Sequence, residues 1–143
     1  MRTRQRRLWW LGLLALVACQ QPPDISGKLE DYAILVSDAR SLICDCPETV
    51  GFPGKVACDE GLGPVGINDR ECLTDVLDGY EEAGEEYLVC ANGAYERYVD
   101  CLEVNVSCEE GVYADCTKDH DVALAGCPQL PIEIRSLFES CTH

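Results

Sequence analysis

Lysine and arginine are scarce, histidine is nearly missing and heavy aromatic side chains are few: the 143 residues hold 11 Lys and Arg against 26 Asp and Glu, with two His, two Trp and two Phe. Each shortage excludes something. A formal net charge of −15 argues against nucleic acid as a partner, because a polyanion is held through Lys and Arg. His120 and His143 are the only imidazoles, too few to build a zinc site without free thiolates. The chain also lacks G-x-S-x-G, H-E-x-x-H and a phosphate-cradling glycine loop, so the expectation is a non-catalytic protein with neither cofactor nor metal. Its length fits one small domain. Cysteine, by contrast, is plentiful: 11 residues, about 8% of the chain, a density that marks disulfide scaffolds and an oxidising compartment.

The first 18 residues divide into a basic stretch, Arg2, Arg4, Arg6 and Arg7, and an apolar run from Leu8 to Ala18. That run is too short to span a bilayer as a helix and has the length of a signal-peptide core. It ends in Leu16-Val17-Ala18-Cys19, and here the segment resembles a bacterial lipoprotein signal peptide. The resemblance covers residues 1–19 alone. It implies that residues 1–18 are cleaved, that Cys19 is lipidated, and that residues 19–24 are a short tether to membrane lipid. Gln20 stands where Asp would act as an inner-membrane retention signal, so the implied destination is the outer membrane of the cell envelope.

Loss of the leader removes four Arg and both Trp, leaving seven basic against 26 acidic groups, a net charge near −19. The domain at residues 25–143 must then build its core from aliphatic side chains, six Tyr, two Phe and cystine. Disulfides compensate for a thin apolar core. So acidic a surface favours a cationic protein partner, through an attraction that weakens with salt.

Helical periodicity dominates the domain. Leu29, Tyr32, Val36, Ala39 and Ile43 step by threes and fours before Pro47, the signature of an amphipathic helix. Residues 47–67 hold five Gly and three Pro and read as a long irregular loop, pinned at Cys58. Its Phe52, Val56, Leu62 and Val65 make it either a recognition surface or a lid on the core. Asn68 with Glu71 suggests a helix start. The stripe Leu73, Leu77, Tyr80, Gly84, Tyr87, Ala91, Ala94, Tyr98, Cys101 then holds its phase, which predicts one long helix or two nearly collinear ones. Ser107 with Glu110 forms an S-x-x-E box opening another helix, Pro128 closes it, and Pro131 starts a last short helix through Phe138. The expected fold is all-α, a small disulfide-rich bundle of four or five helices with a long Gly/Pro-rich loop.

With Cys19 assigned to lipid, an even ten cysteines remain for five bridges: Cys44, Cys46, Cys58, Cys72, Cys90, Cys101, Cys108, Cys116, Cys127 and Cys141. Cys90 and Cys101 are eleven apart, as are Cys116 and Cys127, close to three helical turns, so each pair shares a face. On antiparallel helices they would form rungs, Cys90 with Cys127 and Cys101 with Cys116. This geometry resembles the twin CX9C helical hairpins of mitochondria, with CX10C here. The S-x-x-E box places the turn earlier and would instead pair Cys101 with Cys108 and Cys90 with Cys116. Equal spacing favours the rungs.

Two further functions stand beside the binding or structural module. Cys44-Asp45-Cys46 could serve thiol–disulfide exchange, although no βαβ pattern or basic neighbour surrounds it. Glu109, Glu110, Asp115, Asp119 and Asp121 could hold calcium weakly, although no EF-hand pattern is present and a solvated helix face explains them more simply. Asn105-Val106-Ser107 matches a glycosylation sequon, incidental in a bacterial lipoprotein.

Overall fold

The computed structural model describes residues 21–142, so the leader and Cys19 lie outside the described residues. Among these the regular secondary structure is all helical: α1 (Ser26–Asp45), a 3-10 turn (Pro47–Val50), α2 (Lys55–Leu62), α3 (Ile67–Leu77), α4 (Glu81–Glu103), α5 (Glu110–Ala125) and α6 (Ile132–Ser140). The disulfide-rich helical bundle is as the periodicity and cysteine content indicate. The element that periodicity does not reveal is α2, two turns of helix inside the expected irregular loop.

The axis of the molecule is the pair α1 and α4, with α5 folded back on α4 and α3 against α1 and α6. Leu29, Tyr32, Ala33 and Val36 of α1 are buried with Leu73, Leu77, Leu88, Ala91, Ile134 and Phe138 in the main core. Burial of each large side chain is worth roughly 1.5–3 kcal/mol. A second, smaller cluster gathers Ala39, Tyr98, Leu102 and Cys116 where α1, α4 and α5 meet.

The long apolar stripe is buried as its phase requires, yet it does not lie on one helix. Asp78 is extended at ψ 123° and Gly79 adopts φ +80°, a left-handed conformation that glycine enters without a Cβ penalty. The chain leaves α3 and re-enters a helix at Glu81 with its apolar face still inward. Asn92-Gly93, by contrast, does not interrupt α4. The buried Asn92 amide donates to the Lys28 carbonyl of α1 at 2.8 Å, so a tertiary contact offsets the poor local propensity.

Both expected helix caps are displaced. At α3 the preceding residue is Gly66, whose N–H donates to the Asp69 carboxylate at 2.8 Å, and Asn68 lies exposed inside the first turn. At α5 the preceding residue is Glu109, and Ser107 makes no capping bond. Buried Asn105 closes this turn: its Oδ1 accepts from the Glu109 N–H at 2.9 Å and its Nδ2 donates to the Glu109 carbonyl at 3.1 Å. The sequon asparagine is thus consumed in the fold.

Candidate functional site

The ten cysteines of the described residues form five bridges: Cys44–Cys58, Cys46–Cys108, Cys72–Cys141, Cys90–Cys127 and Cys101–Cys116. The last two are rungs across the α4–α5 hairpin, both centred between Cys108 and Glu109. This places the turn later than Ser107 suggests and agrees with Glu109 preceding α5. Cys44 and Cys46 do not pair with each other. Cys44–Cys58 is buried and fastens α2 to the end of α1, while Cys46–Cys108 reaches the surface, with Cys108 exposed at φ +51°.

The loop residues singled out from the sequence divide by role. Val65 is buried and its N–H donates to Ser37 Oγ at 3.0 Å. Phe52 and Leu62 are half-buried, and Phe52 lies against Gly61, where an added Cβ would come within 2.7 Å of its ring. Val56 alone of the four is exposed, so the segment chiefly lids the core. Glu109, Glu110, Asp115, Asp119 and Asp121 are all exposed, and no group of three His, Cys, Asp or Glu among the described residues is arranged to hold a metal ion.

The concave feature that stands apart chemically is one that sequence reasoning did not single out. A cleft of about 360 Å³ opens between α1, α4 and α6, lined by Tyr32, Tyr87, Tyr95, Phe138, Arg40, Arg135 and Glu139, with Leu124 and Leu130 among its apolar walls. Its floor is an aromatic cluster. Tyr32 meets Tyr95 edge-on at 5.5 Å, and Tyr87 meets Phe138 edge-on at 5.4 Å. Such pairs are favourable beyond the area they bury.

Both arginines of the cleft are held by backbone carbonyls. Arg40 donates to Gly63 O at 3.0 Å and to Thr142 O; Arg135 donates to Leu130 O at 2.9 Å. Carbonyl dipoles occupy some of the guanidinium protons but do not cancel its charge. The ion pairs of the described residues are made by Lys28, Lys55 and Arg70. Neither cleft arginine has a carboxylate within ion-pair distance among those residues, and the buried Nε of Arg135 lacks any hydrogen-bond partner. Burial raises the Tyr32 phenol, with Tyr95 and Tyr87 pushing the same way, and pushes Tyr87 up to about 12. Burial raises Tyr95 as well. All three hydroxyls are therefore protonated at neutral pH and can donate.

A trace of this site does exist in the sequence. Arg40 lies inside an apolar helix stripe, and its helical neighbours Val36, Ser37, Ile43 and Cys44 include no acid, an anomaly in a chain so rich in carboxylates. Arg135 offers no such signal, because Glu139 stands one turn away. What joins the two arginines is the packing of α6 beside α1, with Cys72–Cys141 securing the end of α6.

No protein-family model, curated protein or solved structure matches the chain.

Proposed function

We propose that the protein is a lipid-anchored, non-catalytic binding module of the bacterial cell envelope, tethered through Cys19 and sorted to the outer membrane. The observation that carries this reading is the cysteine pairing. Ten cysteines bond among themselves, which leaves Cys19 as the odd thiol, at the lipobox position. The chain from Gln21 to Ile25 is too short to carry the domain far from a membrane surface, since α1 begins at Ser26. No helix of the described residues is long and apolar enough to cross a membrane, so attachment falls to the acyl chains. Two or three chains hold a protein firmly where a single chain does not.

The domain then offers an acidic exterior and one aromatic cleft. The exterior suits a cationic protein partner in the envelope, and the cleft suits a small ligand. Replacing Cys19 by Ser tests the anchor: Cys19→Ser abolishes metabolic labelling by a fatty-acid analogue and moves the protein from the membrane to the soluble fraction. Labelling that survives the substitution overturns the assignment.

A further inference from the structure

We infer that the cleft between α1, α4 and α6 binds a small organic monoanion, a carboxylate carried on an apolar, ring-sized body. The inference rests on the binding-module reading and names the ligand class that module takes.

The charge distribution points there first. After leader loss only seven cations remain, and two of them, Arg40 and Arg135, line this one cleft. Each is fixed by carbonyls and unneutralised by any carboxylate among the described residues. Glu139 lines the cleft too, but it is exposed and forms no ion pair with either arginine. Two guanidinium groups that no carboxylate of the described residues pairs with stand beside an aromatic floor and attract an anion, because partial burial weakens the screening that water supplies. Arg135 gives one terminal nitrogen to Leu130 O, which leaves other guanidinium protons for a ligand, and the neutral Tyr32, Tyr87 and Tyr95 hydroxyls line the same cleft. A carboxylate accepts from several donors at once, and guanidinium recognises it through paired N–H groups.

The remaining surface limits the ligand to one charge. Around the cleft lies a domain with a net charge near −19, so each added negative charge on a ligand meets further repulsion that is only partly screened at physiological ionic strength. Size limits it too. At about 360 Å³ the cleft is at the small end of ligand pockets. Phe138, Leu124 and Leu130 supply apolar walls that suit a ring or a short branched body.

Benzoate is the probe, with benzamide as its neutral isostere and benzylamine as the cationic counterpart, each titrated by heteronuclear NMR into the mature chain in detergent micelles. Benzoate is expected to saturate at millimolar concentration, shifting signals of Tyr32, Tyr95 and α6. Benzamide is expected to bind about tenfold or more weakly, the effect of one lost charge-assisted hydrogen bond, and benzylamine not at all. Arg135→Gln should weaken benzoate by a similar factor while intact mass still shows five bridges. If benzamide binds as well as benzoate, the anion inference is overturned and the binding-module reading survives. If no probe shifts the cleft signals, the inference is equally overturned, while the anchor is judged separately by Cys19→Ser. The contrast between isosteres uses the unaltered protein, so it holds even if Arg135→Gln does not fold.

Discussion

His120 shows how one side chain links the packing of α4 and α5 to pH. Its ring stacks on Tyr98 with centroids 4.4 Å apart and an interplanar angle of 11°, and it meets Tyr95 at the same separation. Its buried Nδ1 has no hydrogen-bond partner. Burial holds the imidazole below its ordinary value and Arg97 acts in the same direction, against opposing pulls from the Ala94 backbone and Asp121. The unfolded chain protonates near the ordinary histidine value of about 6.5, whereas the folded protein resists. Stability is therefore complete above that pH and falls as pH drops through it. Denaturant midpoints should decline between about pH 7.5 and about pH 5.5 in the native chain and decline less in His120→Phe, which keeps the stacked ring and removes the titrating nitrogen. Equal declines would show that His120 does not set this dependence. The role of His120 was not legible in the sequence, where Asp119 and Asp121 flank it; on α5 each lies about 100° around the helix from it, so His120 is buried while both acids are exposed.

Among the elements, the helices themselves were legible and their ends were not. The apolar stripe from Leu73 to Cys101 identifies the buried face correctly across two helices, because burial follows phase and the three-residue link at Asp78-Gly79-Tyr80 preserves it. The break depends on Gly79 at φ +80°, a backbone choice that periodicity does not encode. Gly79→Ala should cost about 1–2 kcal/mol in denaturant unfolding, since an L side chain is strained in the left-handed region. Gly111→Ala, inside α5 with open space around the added Cβ, should instead stabilise by up to about 1 kcal/mol. A pair of changes with the same sign would contradict the assignment of the α3–α4 turn. Helix α2 escaped recognition for a related reason: its eight residues lie between Gly54 and Gly63, too short a run for periodicity to register, and its position is set by Cys44–Cys58 more than by propensity. The hairpin rungs were legible because equal spacing of two cysteine pairs survives a small error in the turn.

At the scale of the molecule, the five bridges compensate for what composition withholds. Among the described residues the core holds no tryptophan, and its aromatic content is largely the cluster under the cleft. Every helix carries at least one half-cystine or lies beside one, and Cys72–Cys141 spans 69 residues. Loss of such a long-range bridge from a small disulfide-rich domain typically costs about 2–5 kcal/mol, a large share of the roughly 5–15 kcal/mol by which native domains are stable. The same bridge fastens the end of α6, the helix that carries Arg135, where the next residue, Thr142, meets Arg40 of α1. That is why the sequence disclosed the scaffold and withheld the site: a scaffold is written in local periodicity and cysteine spacing, while the cleft depends on residues 95 positions apart in the chain.

The central claim is a domain closed by five disulfides and tethered through an eleventh, lipidated cysteine. Intact-mass spectrometry of the protein extracted from membranes tests it most directly. The expected species begins at Cys19, carries the added mass of a diacylglycerol and a further acyl chain, and is ten hydrogens lighter than the same chain with all ten other thiols reduced, two for each bridge. A species that retains residues 1–18, or one that starts at Cys19 without lipid and with that thiol in a disulfide, would contradict it.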